Sequence, residues 1–206
     1  MDTEITLPTT KDVTRKLRVG DVLYLTGKVF TARDAAHQLM LERHKKGVEL
    51  SFDPAQMAVF HCGPVAKKEG KSWRVVAAGP TTSARMEPFE DQFLAAFGIR
   101  LIIGKGGMGE KTQAALKKHG AVYTHYTGGA GALAATAIGR IEDVFWLDEL
   151  GMPEAVWIFQ VNRFGPLLVT MDSGGGNLYT DLAKAITRNQ QVIHAKIAGE
   201  GGRLDG

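Results

Sequence analysis

A glycine loop carrying a lysine constrains this chain more than any other stretch. Arg100-Leu101-Ile102-Ile103 runs into Gly104-Lys105-Gly106-Gly107-Met108-Gly109, and Lys111 to Lys118 then follows a helical pattern. The order predicts a strand, a glycine turn and a helix start, so the chain must build a sheet with helices laid against it. Glycines before a helix N-terminus also free backbone N–H groups, and these favour an anion together with the helix dipole.

The spacing G-x-G-x-x-G invites a dinucleotide reading, which requires an acidic residue about 20 positions on to hold a ribose hydroxyl. No Asp or Glu occurs from Lys111 to Ile141, and the next candidate strand, Ala121 to Tyr126, ends in Thr127-Gly128-Gly129. A phosphate loop fails too, because Lys105 stands second in the loop and no Lys-Ser/Thr pair closes it. Turn glycines with no ligand are the simpler alternative.

A chain of 206 residues with 44% hydrophobic content can bury one sizeable core. A net charge of +3 with scattered Lys and Arg is too mild for nucleic acid and suits a small anion. No apolar run is long enough to span a membrane, and Met1-Asp2-Thr3-Glu4 opens no signal peptide, so a cytoplasmic location is expected. The single cysteine, Cys62, excludes an internal disulfide and an iron–sulfur cluster held by this chain alone, which takes several thiolates. At the end of Met57-Ala58-Val59-Phe60 it reads as a small strand-end residue.

Strands are predicted at 21–30, 57–62, 73–78, 100–103, 121–126, 143–147, 155–162 and 167–171, with an edge strand near 4–10. Helices are predicted at 11–17, 31–46, 85–97, 109–118, 130–139 and 177–188. The uneven alternation points to a mixed α/β domain over residues 1–197, with a glycine-rich disordered tail at 198–206.

Three segments place polar residues just after a predicted strand, where α/β proteins gather ligand sites. Arg33 and His37 follow Lys28-Val29-Phe30, four apart on one helix face. Gly79-Pro80-Thr81-Thr82-Ser83-Ala84-Arg85-Met86 follows Val75 to Ala78, and Lys105 sits in the glycine loop. Two guanidinium groups, an ammonium and several hydroxyls suit a dicarboxylate. Each piece has a simpler reading: the hydroxyls as helix caps, Arg33 paired with Glu42 or Asp34, and His37 as a half-buried helix residue.

Thr31 to His37, Gly79 to Met86, Gly104 to Gly109, Trp146 to Ala155 and Phe164 to Ser173, in that order, resemble the β subunit or C-terminal domain of the class I fumarase and L-tartrate dehydratase family of iron–sulfur hydro-lyases. The resemblance covers roughly residues 5–185. It implies a swivelling-type β/β/α domain with a mixed central sheet, closing over a 4Fe-4S cluster that a separate α subunit holds with three cysteines, in an assembly of two α and two β chains. No metal ligand falls on this chain. The resemblance implies that a C4 dicarboxylate is gripped by Arg33, Thr81, Arg85 and Lys105; Thr82 and Ser83, the other hydroxyls of the same turn, are expected to bind the substrate with them. Thr81 would transfer the proton, and His37, matching a family histidine next to the site, is expected to be catalytic with it. Thr31-Ala32-Arg33, where some members carry a cysteine, favours malate and fumarate over tartrate or a methylated analogue. A non-catalytic carboxylate- or nucleotide-binding module is the alternative from another class.

Overall fold

The computed structural model describes residues 2–201. In chain order the elements begin with β1 (Asp2–Thr6), α1 (Lys11–Thr14), β2 (Val22–Thr31), α2 (Asp34–Lys45) and β3 (Ala58–Phe60). A hairpin of β4 (Val65–Glu69) and β5 (Ser72–Ala77) follows, then α3 (Glu90–Phe97), β6 (Leu101–Gly104), α4 (Glu110–His119) and β7 (Val122–His125). The chain continues through α5 (Gly131–Thr136), β8 (Ile138–Phe145), α6 (Leu147–Leu150), β9 (Val156–Met171) and α7 (Leu178–Gly201).

Strands β2, β3, β6 and β7 run parallel, neighbour to neighbour. β9 runs antiparallel to both ends of that row, pairing with β7 and also with β2. The sheet therefore closes on itself as a five-stranded barrel, with β1 added along β2 and β8 along β9. The expected mixed sheet flanked by helices is present.

Alternation in the strands explains why both faces are buried. Ala58 and Phe60 of β3, with Leu101 and Ile103 of β6, join a cluster fed by all five barrel strands. Val59 and Ile102 point the other way, into a cluster completed by Met40 of α2, Phe93 of α3 and Leu116 of α4. A period of two thus sends one set inward and the other to the helices. Each fully buried Phe or Leu contributes about 1.5–3 kcal/mol relative to exposure.

Several boundaries differ from expectation, each for a physical reason. The strands predicted at 155–162 and 167–171 are one strand, because Arg163 takes a left-handed φ of 47° and β9 bends through a register shift without breaking. The polar strand β4, absent from the prediction, is held by pairing with β5 rather than by burial of its own side chains. Residues 83–97 form a short 3-10 turn (Ser83–Met86) and then α3, and β8 begins at Ile138, inside the span predicted as helix 130–139. The expected tail at 198–206 is helical as far as Gly201, and the remainder lies outside the described residues. No described helix is long and apolar enough to cross a membrane.

Candidate active site

Because four barrel strands are parallel, their C-terminal ends share one rim, and every polar segment singled out in the sequence arrives there. Arg33 follows β2, His61-Cys62-Gly63 follows β3, the glycine loop follows β6 and Thr127-Gly128-Gly129 follows β7. The turn Pro80–Met86 is drawn onto the same rim by backbone pairing. Pro80 bridges Cys62, Thr82 bridges Lys105, and the Thr81 N–H donates to the His61 carbonyl at 2.7 Å.

Only glycine fits at position 104. A Cβ there would lie 1.9 Å from Ser83 Oγ and 2.8 Å from the Tyr123 hydroxyl. That close approach lets the Lys105 N–H donate to Ser83 Oγ at 3.2 Å, locking the loop to the threonine turn. The Tyr123 hydroxyl donates to the Gly106 carbonyl at 3.0 Å, and burial pushes that phenol above its ordinary range. Tyr179 of α7 covers Gly107, while its hydroxyl meets His125 Nδ1 at 2.8 Å.

The helix N-terminus behind the loop is already satisfied from within. Glu87 accepts from the Gly109 N–H at 2.8 Å, the Thr112 N–H at 3.1 Å and the Thr112 hydroxyl at 2.5 Å. The anion expected there is a side chain of this protein, so the dipole of α4 is not the ligand-facing charge. Lys105 is half-buried, packs beside Gly128, and has no acidic partner among the described residues.

Both arginines are held by carboxylates. Arg33 Nε lies 3.1 Å from Glu154 Oε1, and the other oxygen of Glu154 accepts from the Ala35 N–H at 3.0 Å. Arg85 pairs through two nitrogens with Asp34, not with a ligand-facing gap. Neither Asp34 nor Glu42 takes Arg33. Each guanidinium has five donors; Arg85 is aligned on Asp34 by hydrogen bonds, Arg33 Nε has only the charge contact with Glu154, and both keep further N–H groups beyond these pairs. The hydroxyls of Thr81 and Thr82 have no protein partner among the described residues, and Thr82 makes no side-chain cap to the turn it begins. Capping does not explain them.

Two expected site residues are placed differently. Ser83 is fully buried, and its Oγ is met by the Lys105 N–H and by His61 Nδ1 at 3.0 Å, so it braces the loop from within. His37 is also fully buried; its Nδ1 donates to the Arg33 carbonyl at 2.8 Å, and burial lowers its pKa to about 4. Its ring lies under the rim against Phe93. The sequence reading missed His61, Glu90 and Glu154. Glu154 was within a recognised motif, whereas Glu90 gave no signal, since an acidic residue opening a helix is ordinarily solvated.

The rim is open. A groove of about 720 Å³ lies elsewhere, lined by residues that include Thr26, Phe52 and Gln160 and by none of the rim residues. Cys62 does not fit an iron–sulfur cluster: it is a single thiol, fully buried, and burial pushes its pKa up, away from the thiolate that iron requires.

The family described as Fumarase C-terminus matches residues 1–182. The chain is 40% identical to the L(+)-tartrate dehydratase subunit beta of Escherichia coli K12 over 193 residues, covering 94% of each chain. It is 47% identical over 178 residues to a Methanocaldococcus jannaschii protein provisionally named as the same subunit, covering 86% of this chain and 91% of that one. It is 45% identical over 179 residues to a Geobacillus stearothermophilus protein provisionally named as a class I fumarate hydratase; 86% of this chain is covered, but only 34% of that longer one. Fold, rim and relatives together define an iron–sulfur hydro-lyase class. This chain belongs to the fumarase C-terminal family, as a β-type member of the class I fumarase and tartrate dehydratase group.

Proposed function

We propose that this chain is the β subunit of a hydro-lyase that reversibly dehydrates a C4 2-hydroxy dicarboxylate, (S)-malate to fumarate, together with an α subunit that holds the 4Fe-4S cluster. The observation that carries the reading is the joining of Lys105 to the Thr81–Arg85 turn on one open rim, with both threonine hydroxyls free of protein partners among the described residues. An open rim suits a domain whose site is completed by a second surface.

On this reading Lys105 and the remaining donors of Arg33 and Arg85 hold the two carboxylates. Abstracting a proton next to a carboxylate builds extra negative charge on it, and Lys105 with Arg85 would stabilise that charge more in the transition state than in the ground state. Thr81 is the proton-transfer group. A threonine is a weak base at its ordinary pKa, so its deprotonated form depends on the same cations. Thr82 orients the substrate beside it. Ser83 and His37 support these groups from below. This chain contributes the charge and proton side of the reaction, and the cluster belongs to the partner.

The names of the relatives favour a second substrate, L-tartrate, which differs by one hydroxyl. Anaerobic co-purification with the α subunit, followed by assays on malate, fumarate, L-tartrate and mesaconate, tests both. Malate–fumarate interconversion well above tartrate turnover is the expected result; the reverse order assigns tartrate. Full activity from this chain alone overturns the two-subunit reading. Dicarboxylate binding with no turnover in the complex would make the chain a binding module.

A further inference from the structure

Beneath the rim, α2, β3 and α3 each send one polar side chain to the same buried point: His37, His61 and Glu90. All three are fully buried, and one donor atom from each lies within 4.8 Å of the others. His61 Nε2 stands 2.9 Å and His37 Nε2 3.8 Å from Glu90 Oε1. None of these contacts has hydrogen-bond alignment. His37 Nε2, His61 Nε2 and both oxygens of Glu90 have no hydrogen-bond partner.

Three converging side chains that carry four unpartnered polar atoms between them are expensive to bury unless something there binds them. An ion pair between His61 and Glu90 accounts for only two of the four. It leaves His37 Nε2 and Glu90 Oε2 without a hydrogen-bond partner. The outer nitrogens of both histidines are engaged, His37 Nδ1 with the Arg33 carbonyl and His61 Nδ1 with Ser83 Oγ. This arrangement fixes each ring with Nε2 directed inward, the same support that metal-bound histidines receive. Two bonds of about 2.1 Å at a tetrahedral angle place their donor atoms roughly 3.4 Å apart, between the two observed separations.

We propose that His37, His61 and Glu90 form a structural site for one divalent cation of the zinc type, with two imidazole nitrogens and a bidentate carboxylate supplying four donors. The cation ties α2, β3 and α3 together under the rim, and His61 carries the connection onward to Ser83 and the Lys105 loop. Being closed to solvent, the site loads as the chain folds. It is distinct from the cluster, because its ligands are nitrogen and oxygen and all belong to this chain.

The full chain, expressed without its α subunit and so without a cluster, is purified and its metals are measured. It is then stripped with chelator under mild denaturation and refolded with Zn²⁺ or Co²⁺. The expected result is about one Zn²⁺ per chain, a rise in Tm on Zn²⁺ refolding, and visible d–d absorption with Co²⁺ of the kind four-coordinate sites give. His61→Gln and Glu90→Gln, checked for folding by circular dichroism, should each lose about tenfold or more of the metal content and the Co²⁺ absorption. A wild-type chain that refolds fully, with less than about a tenth of an equivalent of any divalent metal and no response to Zn²⁺ or Co²⁺, overturns the proposal. The wild-type measurement decides this even if both variants fail to fold.

Discussion

Two layers of polar groups lie one above the other in this domain, and they treat charge in opposite ways. On the rim, Arg33 and Arg85 are each matched by a carboxylate while Lys105 is left without one. In the layer beneath, His37, His61 and Glu90 are shut away from water with their facing atoms unmatched. Solvent can screen an unpaired ammonium at the rim at small cost, so a free charge there can be kept for a ligand. The buried layer has no such screening, and an unmatched group must be met by something within the fold. The same chemical types therefore point to recognition in one place and to structure in the other.

Glu90→Ala should produce the largest effect on stability. Removing one member of a buried charged set costs about 3–5 kcal/mol, measured as a lower denaturation midpoint at constant m. A loss under about 1 kcal/mol would place Glu90 with the rim instead. Lys105→Ala should do the opposite, lowering kcat/KM of the assembled enzyme about 10²–10³-fold, or about 2.7–4 kcal/mol, with stability within about 0.5 kcal/mol. Near-normal turnover would remove Lys105 from the site.

Glu87→Ala lies between the two layers in character, because Glu87 is a cap. Its loss should cost about 1–2 kcal/mol, visible in thermal unfolding, and should let added sulfate raise Tm by occupying the vacated α4 N-terminus. Asp91→Asn should have the smallest effect. His119 and Lys118 hold the Asp91 carboxyl below its ordinary pKa. The stabilisation they give is therefore present above the unfolded value, about 4, and fades as pH falls through the lower folded value. For so exposed a group it is under about 1 kcal/mol, so the wild-type and Asp91→Asn stability curves should differ slightly at neutral pH and converge in acid.

What the sequence disclosed follows the same division. The convergence of Arg33 and Lys105 was legible because each follows an apolar parallel strand, and parallel strands end on one rim; Thr81, Thr82 and Arg85 follow the hairpin strand β5 and reach the rim only through backbone pairing with His61, Cys62 and Lys105. The strand–loop–helix unit at 101–119 was equally plain. The burial of His37 and Ser83 has no local signature, because their spacing matches that of exposed neighbours; His37 is covered by Phe93 of α3, and Ser83 lies between His61 and the Lys105 loop. Closure of the barrel was invisible, since it depends on β9 finding β2 more than a hundred residues away. The pairings of Arg33 with Glu154 and of Arg85 with Asp34 have no local signature either, the first joining residues 121 positions apart and the second 51, by subtraction of their numbers.

That late closing strand also sets the order of events when the protein is made. Until β9 emerges from the ribosome, β7 and the far edge of β2 present unpaired backbone with apolar side chains beside it, a surface that invites association between chains. The long sequence separation between β2 and β9 favours slow closure. Yield of this subunit should therefore depend on how fast translation passes residue 171 relative to chaperone capture, and a chain truncated before Val156 should aggregate instead of folding to a smaller domain.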